Sequence, residues 1–253
     1  MVIDFHVHGK ITKTAAFNEE NLLQCINEGK SEGIEGFALT EHCHANNFFE
    51  AYNFLETNYK YVNNYYDVNG FKVFIGAEIT TREINSNQKI DILIIGERSY
   101  ILELRNKVMN NSSEQEFIEL EKLFSLCNTN EVLVILAHPY RRSNEFPNLS
   151  LMVLDRIDAL ELNATDLHKH GIDEMKNKVI ELSKKLNKKI IGGSDSHHFI
   201  QFGSIKNKFN QDCQNIKELK AQIRIDDYNV EISPNLSIRV KSQKIIKKLI
   251  CNS

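Results

Sequence analysis

Imidazole and carboxylate side chains gather in five short clusters of this chain. They are Asp4-Phe5-His6-Val7-His8, Thr40-Glu41-His42-Cys43-His44, Gly76-Ala77-Glu78, Ala137-His138-Pro139 and Gly193-Ser194-Asp195-Ser196-His197. Side chains two apart on a strand point the same way, so His6 and His8 can chelate one ion while Phe5 and Val7 pack on the opposite side. Asp195 and His197 have the same spacing. Glu78 ends an apolar run, where a carboxylate is costly unless it is paired or holds a cation. Imidazole and carboxylate without thiolate suit Zn²⁺, Mn²⁺ or Fe²⁺ at an open site rather than a closed structural zinc. The ligands outnumber what one ion takes. Two or more ions bridged by a carboxylate form a clamp for phosphoester or amide hydrolysis, in which one ion generates hydroxide and both neutralise developing charge.

The elements that must position these residues follow a βα pattern. The spacing predicts strands near Val2 to His8, Glu35 to Thr40, Lys72 to Glu78, Asp91 to Gly96, Val132 to His138, Ala159 to Asn163 and Lys189 to Ser194. Helical periodicity marks Glu19 to Lys30, Phe48 to Tyr65, Ser113 to Leu126 and Ile172 to Leu186. Seven of the nine histidines (His6, His8, His42, His44, His138, His197 and His198) fall where a strand runs out into a loop, while His168 and His170 lie in a polar turn ahead of a helix. A parallel α/β barrel collects the carboxyl ends of its strands on one face, so one shared site is expected. No repeat, linker or low-complexity block divides the chain, and a single domain over residues 1–253 is the expectation. Its segment from about 207 to 253 reads as irregular and closing the barrel. Within it, Ile216 to Ile225 is a short segment and Ile238 to Ile250 a basic amphipathic helix with a solvated face, a stretch that can also touch acidic partners or a membrane surface.

Composition narrows the functional classes. The 31 Lys plus Arg against 34 Asp plus Glu leave a formal net charge of −3, with no global basic footprint for long duplex DNA. The longest apolar run, Val132 to Ala137, is far too short to span a bilayer, and the amino terminus has no basic segment followed by an apolar core, so a cytoplasmic location is expected. Cys25, Cys43, Cys127, Cys213 and Cys251 are scattered and never in a C-x-x-C pair, which argues against disulfides or a thiolate zinc site.

The order His-x-His, Thr-Glu-His, Gly-x-Glu, Ala-His-Pro, Gly-Ser-Asp-Ser-His resembles the PHP (polymerase and histidinol phosphatase) family of metal-dependent phosphoesterases, from Asp4 to about Phe209. The resemblance implies a distorted seven-stranded (βα)7 TIM-like barrel with two or three divalent ions (Zn, Mn or Fe) at the carboxyl ends of its strands. It implies that His6, His8, Glu78 and Asp195 bind one ion, that Glu78 bridges to a second also held by His138, and that His42 and His197 serve a third. Asp195, His197, His44 and Arg141 are the expected catalytic residues. Two family ligands have no match here: after the His-x-His this chain reads Gly9-Lys10-Ile11-Thr12-Lys13-Thr14, and the strand after the bridging Glu reads Asp91-Ile92-Leu93. Lys10 or Lys13 is placed to meet a phosphate, and Asp91 to substitute as a ligand.

Among the remaining candidates, Arg141 and Arg142 sit where they can fork onto a phosphate. Asn163 and Glu161 end the next strand. His44 is either a proton shuttle or substrate contact, or an exposed loop histidine; His198 reads as exposed, and Cys43 as inert. The expected activity is hydrolysis of phosphate esters by metal-activated hydroxide. Expected substrates are a small phosphorylated metabolite, a nucleotide or a short oligonucleotide, with no membrane and no obligate protein partner. The alternatives are an amidohydrolase-like hydrolase, which usually needs a bridging Lys where this chain has Glu78, and a metal-binding regulatory module without turnover.

Overall fold

The computed structural model describes residues 1–84, 86–112 and 117–251. In chain order the elements are β1 (Val2–Val7), α1 (Glu19–Ser31), β2 (Gly36–His42), α2 (Glu50–Asn58), β3 (Lys60–Val62), β4 (Tyr65–Val68), β5 (Phe71–Arg82), β6 (Lys89–Gly96), α3 (Arg98–Asn110), α4 (Leu120–Leu126) and β7 (Leu133–Leu136). They continue with α5 (Leu151–Leu154), β8 (Ala159–Asn163), α6 (Ala164–His170), α7 (Ile172–Leu186), β9 (Lys189–Gly193), β10 (Ile205–Phe209), α8 (Ile216–Ile225), β11 (Tyr228–Ile232) and α9 (Leu236–Cys251).

The sheet runs β11-β10-β1-β2-β5-β6-β7-β8-β9. All seven expected strands are present and curl into a nearly closed, distorted TIM-like barrel. β1, β2 and β5 pair in parallel, as do β7, β8 and β9, but β6 is antiparallel to both β5 and β7. The amino end of β6, not its carboxyl end, therefore faces the same way as the carboxyl ends of its neighbours, and Asp91 arrives there.

The barrel closes between β9 and β1. A parallel bridge joins Val7 to Ser196. The fully buried Asn207 of β10 finishes the seam: its Nδ2 donates to Ile3 O (3.1 Å) and Gly192 O (2.8 Å), and its Oδ1 accepts Gly192 N–H at 2.7 Å. The floor is apolar. Ile3, Phe5, Phe74, Leu93, Ile135 and Ile191 form an inner cluster that α8 plugs from below with Ile216, Leu219 and Ile223. The helices pack outside on the opposite strand faces.

Phe5 belongs to that inner cluster and Val7 to the outer one, so the two do not share a face as expected. A register shift in β1 between Asp4 and Val7 is the reason. Irregularities of this kind re-aim side chains at barrel rims.

Other local expectations change as well. The helix expected over Phe48 to Tyr65 stops at Asn58, because Tyr61, Val62, Tyr65 and Tyr66 suit a hairpin that turns at Asn63, a residue in left-handed conformation. The helix expected from Ser113 has its first four residues, 113–116, outside the described ones, and α4 begins at Leu120. α3 was not anticipated; its N-cap is Glu97, which accepts from Tyr100 N–H, instead of a residue from the usual Ser, Thr, Asp or Asn set. His168 and His170 lie in α6, not in a turn. The segment after 207 is not irregular: β10, α8, β11 and α9 are all regular, and β10 pairs directly with β1. No helix among the described residues is long and apolar enough to cross a membrane.

Candidate metal centre

Seven side chains converge above the apolar floor: His6 and His8 from β1, His42 from the end of β2, Glu78 from β5, His138 after β7, and Asp195 and His197 after β9. Three overlapping groups have ligand atoms within 4.8 Å of one another: His6, His8 and Asp195; His6, Glu78 and His138; His8, His42 and His197.

Glu78 is the centre of this arrangement. Its Oε1 lies 3.0 Å from His138 Nε2, and its Oε2 lies 2.5 Å from His42 Nδ1, 3.5 Å from His8 Nε2 and 3.7 Å from His6 Nε2. The parallel register sets Glu78 directly beside His42. Asp195 Oδ1 completes the ring, 3.4 Å from His8 Nε2 and 3.6 Å from His6 Nε2. The two Nε2 atoms of His6 and His8 face each other at 3.0 Å.

The support behind these groups is carboxylate-rich. Glu161 Oε1 is 2.7 Å from His6 Nδ1, and Oε2 accepts the backbone N–H of His138 at 2.8 Å. This leaves Nε2 of His6 pointing at Glu78 and Asp195, the usual device by which a carboxylate orients a metal-binding imidazole. Gly193 makes room for it: a Cβ there would come within 2.1 Å of Glu161 Oε1 and 2.8 Å of the His6 Cβ. His138 and Asp195 both sit at positive φ, 28° and 55°. Such strain, about 1–3 kcal/mol per residue, persists where surrounding structure enforces it, and it concentrates at functional sites.

The basic residues are committed. Arg141 donates from Nη1 to Asp195 Oδ2 (2.6 Å), from Nε to Asp166 Oδ1 (3.1 Å) and from Nη2 to Asn163 Oδ1 (2.7 Å). Arg142 grips Asp91 Oδ2 through Nε at 3.1 Å and Nη2 at 2.5 Å. Lys10 is buried, with Nζ on Asn47 Oδ1 at 2.6 Å and 4.0 Å from Glu41. Lys13 is exposed.

Burial disfavours the charged form of every ionisable group in the centre. Against that penalty, Glu161 and Asp195 still hold the His6 pKa well above the ordinary imidazole value. His8 is pushed well below it by burial and by its neighbours His197 and His42, and burial takes His197 down to about 3. Glu78 is kept well below the carboxylate range, because His42 and His138 outweigh burial; Arg141 and His6 do the same for Asp195. Two ionised carboxylates and neutral His8 and His197 are in the protonation state a cation requires of its ligands, whereas His6, held protonated by Glu161 and Asp195, must release its proton to bind one. Glu78 Oε2 is buried without an aligned hydrogen-bond donor, as is His8 Nδ1. An electron-rich oxygen enclosed by imidazole nitrogens fits a divalent cation.

His44 belongs to none of the three groups. Its ring meets Phe117 edge-on at 4.9 Å, and burial, then Lys13 and Arg105, push its pKa down to about 4. His198 stacks on Phe199, with Nδ1 accepting from Ile200 N–H. Cys43 is fully buried in the outer core, its thiol pushed up to about 12 by burial. Asp91, 3.8 Å from His138 Nδ1, keeps a buried Oδ1 with no partner. Glu161 was legible only as a carboxylate ending an apolar strand; nothing local linked it to His6.

No family model matches the sequence, and no curated protein matches it. Solved structures do. PsfC from Pseudomonas syringae aligns over 98% of this chain and 98% of its own length, with a TM-score of 0.75 at 17% identity. PfuEndoQ from Pyrococcus furiosus, a lesion-specific endonuclease, aligns with a TM-score of 0.61 at 18% identity, over 91% of this chain and 58% of that one. An amidohydrolase from Chromobacterium violaceum, solved with sulfate and no metal, aligns with a TM-score of 0.51 at 10% identity, over 95% and 96% of the two chains. These likenesses establish the fold: the chain is a distorted βα barrel of the kind seen in PsfC and PfuEndoQ, the architecture that the resemblance to the PHP family implies.

Proposed function

We propose that this protein is a metal-dependent phosphoesterase. The observation that carries the reading is the placement of Glu78, whose two oxygens face different imidazoles and so border two adjacent cation positions. His6, His8, Glu78 and Asp195 would hold one ion, Glu78 and His138 a second, and His8, His42 and His197 a third. When bound, Zn²⁺, Mn²⁺ or Fe²⁺ at such positions polarises a phosphoryl oxygen and acidifies water.

The protein's own groups then have separate tasks. Glu161 holds the tautomer and orientation of His6. Arg141 holds Asp195 through Oδ2, leaving Oδ1 for the centre, so it is a positioning residue here and not a free phosphate fork. His44, neutral at pH 7, offers a hydrogen bond at the rim. The bridging carboxylate favours phosphate chemistry over amide hydrolysis, where a lysine usually bridges. A small phosphorylated metabolite, a nucleotide or a short oligonucleotide would suit a chain of near-neutral charge.

The test is a hydrolysis screen of protein loaded with Mn²⁺ or Zn²⁺ over nitrophenyl phosphates, nucleotides and short oligonucleotides, repeated with Asp195→Ala. Hydrolysis abolished by the substitution supports the reading. No hydrolysis, or activity that survives the loss of Asp195, removes it; turnover of amide substrates instead would favour the amidohydrolase alternative, and bound metal with no turnover of either class the regulatory module.

A further inference from the structure

Little of helix α9 serves the metal centre. From Leu236 to Cys251 it contains Arg239, Lys241, Lys244, Lys247 and Lys248 and no acidic residue. Leu236, Val240 and Gln243 form its buried face. Ile238, Ile245 and Leu249, seven and four residues apart, share the opposite face and are 64, 51 and 67% exposed. A contiguous ridge of large aliphatic side chains turned to water forgoes the free energy of burial and marks an interaction surface.

The ridge has a basic flank and an acidic one. Helical period places Lys241, Lys244 and Lys248, all exposed, along one side. Arg239 stands on the other side, where it ion-pairs with Glu32 at the end of α1. α1 runs alongside there. Its Glu20 and Gln24 border a groove of about 370 Å³ with Ile250, and its Glu28 borders a second, of about 470 Å³, with Ile238 and Arg239.

Charge decides among the occupants such a face could take. An anionic membrane would attract the lysines but repel Glu20 and Glu28, and a flat bilayer cannot fill the grooves. A partner helix of one charge sign meets the same conflict. A second copy of this chain does not. Rotation about a two-fold axis parallel to the ridge lays the lysine flank of each copy over the glutamate flank of the other, and it stacks Ile238, Ile245 and Leu249 on their own equivalents. The antiparallel arrangement would set lysine against lysine.

We propose that this face is the two-fold interface of a homodimer, with the two α9 helices side by side and parallel. Lys241, Lys244 and Lys248 of each copy then face Glu20 and Glu28 of the other. The dimer follows from surface chemistry and holds whatever the reaction. It also reaches the metal centre: Gln243 Oε1 accepts the backbone N–H of His197 (2.9 Å) and His198 (3.0 Å), so each paired helix braces the loop that carries Asp195.

Sedimentation equilibrium of the full chain tests this, with circular dichroism to verify that each variant is folded. The wild type should approach twice the chain mass as concentration rises. Ile245→Asp, which buries a charge from each copy, should weaken association by about 100-fold or more. Lys241→Glu with Lys248→Glu sets like charges across the interface and should weaken it by about tenfold, as should Glu20→Lys with Glu28→Lys. All four changes together restore opposite charges and should recover wild-type association. A wild type that stays monomeric at every concentration, a dimer indifferent to Ile245→Asp, or a folded variant with all four changes that fails to recover association would overturn the proposal. So would a monomer that binds phosphatidylglycerol vesicles and loses them with Ile245→Asp, which would assign the face to a membrane.

Discussion

Glu161 stands directly behind His6, its Oε1 2.7 Å from Nδ1, with both side chains fully buried. A carboxylate in that position fixes which ring nitrogen is left for a cation. Glu161→Gln keeps the shape but halves the capacity to accept, since the amide NH₂ would have to face either His6 Nδ1 or the His138 N–H. Metal affinity should fall by about 10- to 100-fold. Titration of metal-free protein with Zn²⁺ against a competing chelator measures it, and an unchanged affinity would show that His6 needs no such support.

Arg141 spans three acceptors, and only a planar guanidinium can do so. Arg141→Ala would leave Asp166 without its ion pair and Asp195 with only its imidazole neighbours, and should destabilise the metal-free protein by about 2–3 kcal/mol, somewhat under the cost of breaking a fully buried pair. Arg141→Lys should recover part of that. Urea midpoints decide the matter. Were the residue instead a phosphate ligand, its loss would raise KM and leave the midpoints where they were.

Gly193 is not at positive φ, so an alanine there is conformationally acceptable, and its effect is purely steric. The new methyl would displace Glu161 and crowd His6. Gly193→Ala should therefore lose metal affinity about as severely as Glu161→Gln. A double variant would show little further loss, because both changes act on one contact; full additivity in the metal titration would contradict the shared mechanism.

Asn207 satisfies two carbonyls and one N–H across the seam between β9 and β1. Asn207→Ala leaves those groups buried and unpaired, at a cost of about 2–4 kcal/mol. The ligands of the metal centre lie on both sides of this seam, so metal affinity should fall along with stability. Chemical denaturation combined with metal titration checks both, and a stability loss below about 0.5 kcal/mol, the range of ordinary surface changes, would mean the seam holds without it.

Much of this molecule was readable along the chain. A run such as Val132 to Ala137 is apolar over strand length and is followed at once by His138, so both the strand and the ligand at its end are local properties. The hairpin at Asn63 and helix α3 were not, because a Tyr- and Asn-rich stretch suits either period and an unusual N-cap hides a helix start. Asp91 could be named as a possible ligand, but its arrival at the site depended on the direction of β6, which local hydrophobic pattern does not encode.

By itself, then, the sequence determined seven of the strands, the imidazole and carboxylate donors at their ends, and the lack of paired thiolate ligands. Residue type and short-range periodicity carry all three. Tertiary structure decided the assignments among those donors and their supports. Arg141 meets Asp195 across 54 residues and Glu161 meets His6 across 155, while Gln243 of α9 reaches back 46 to the backbone of His197. Which acceptor a side chain finds at such separations is set by strand order, register and barrel closure, and those exist only once the chain has folded.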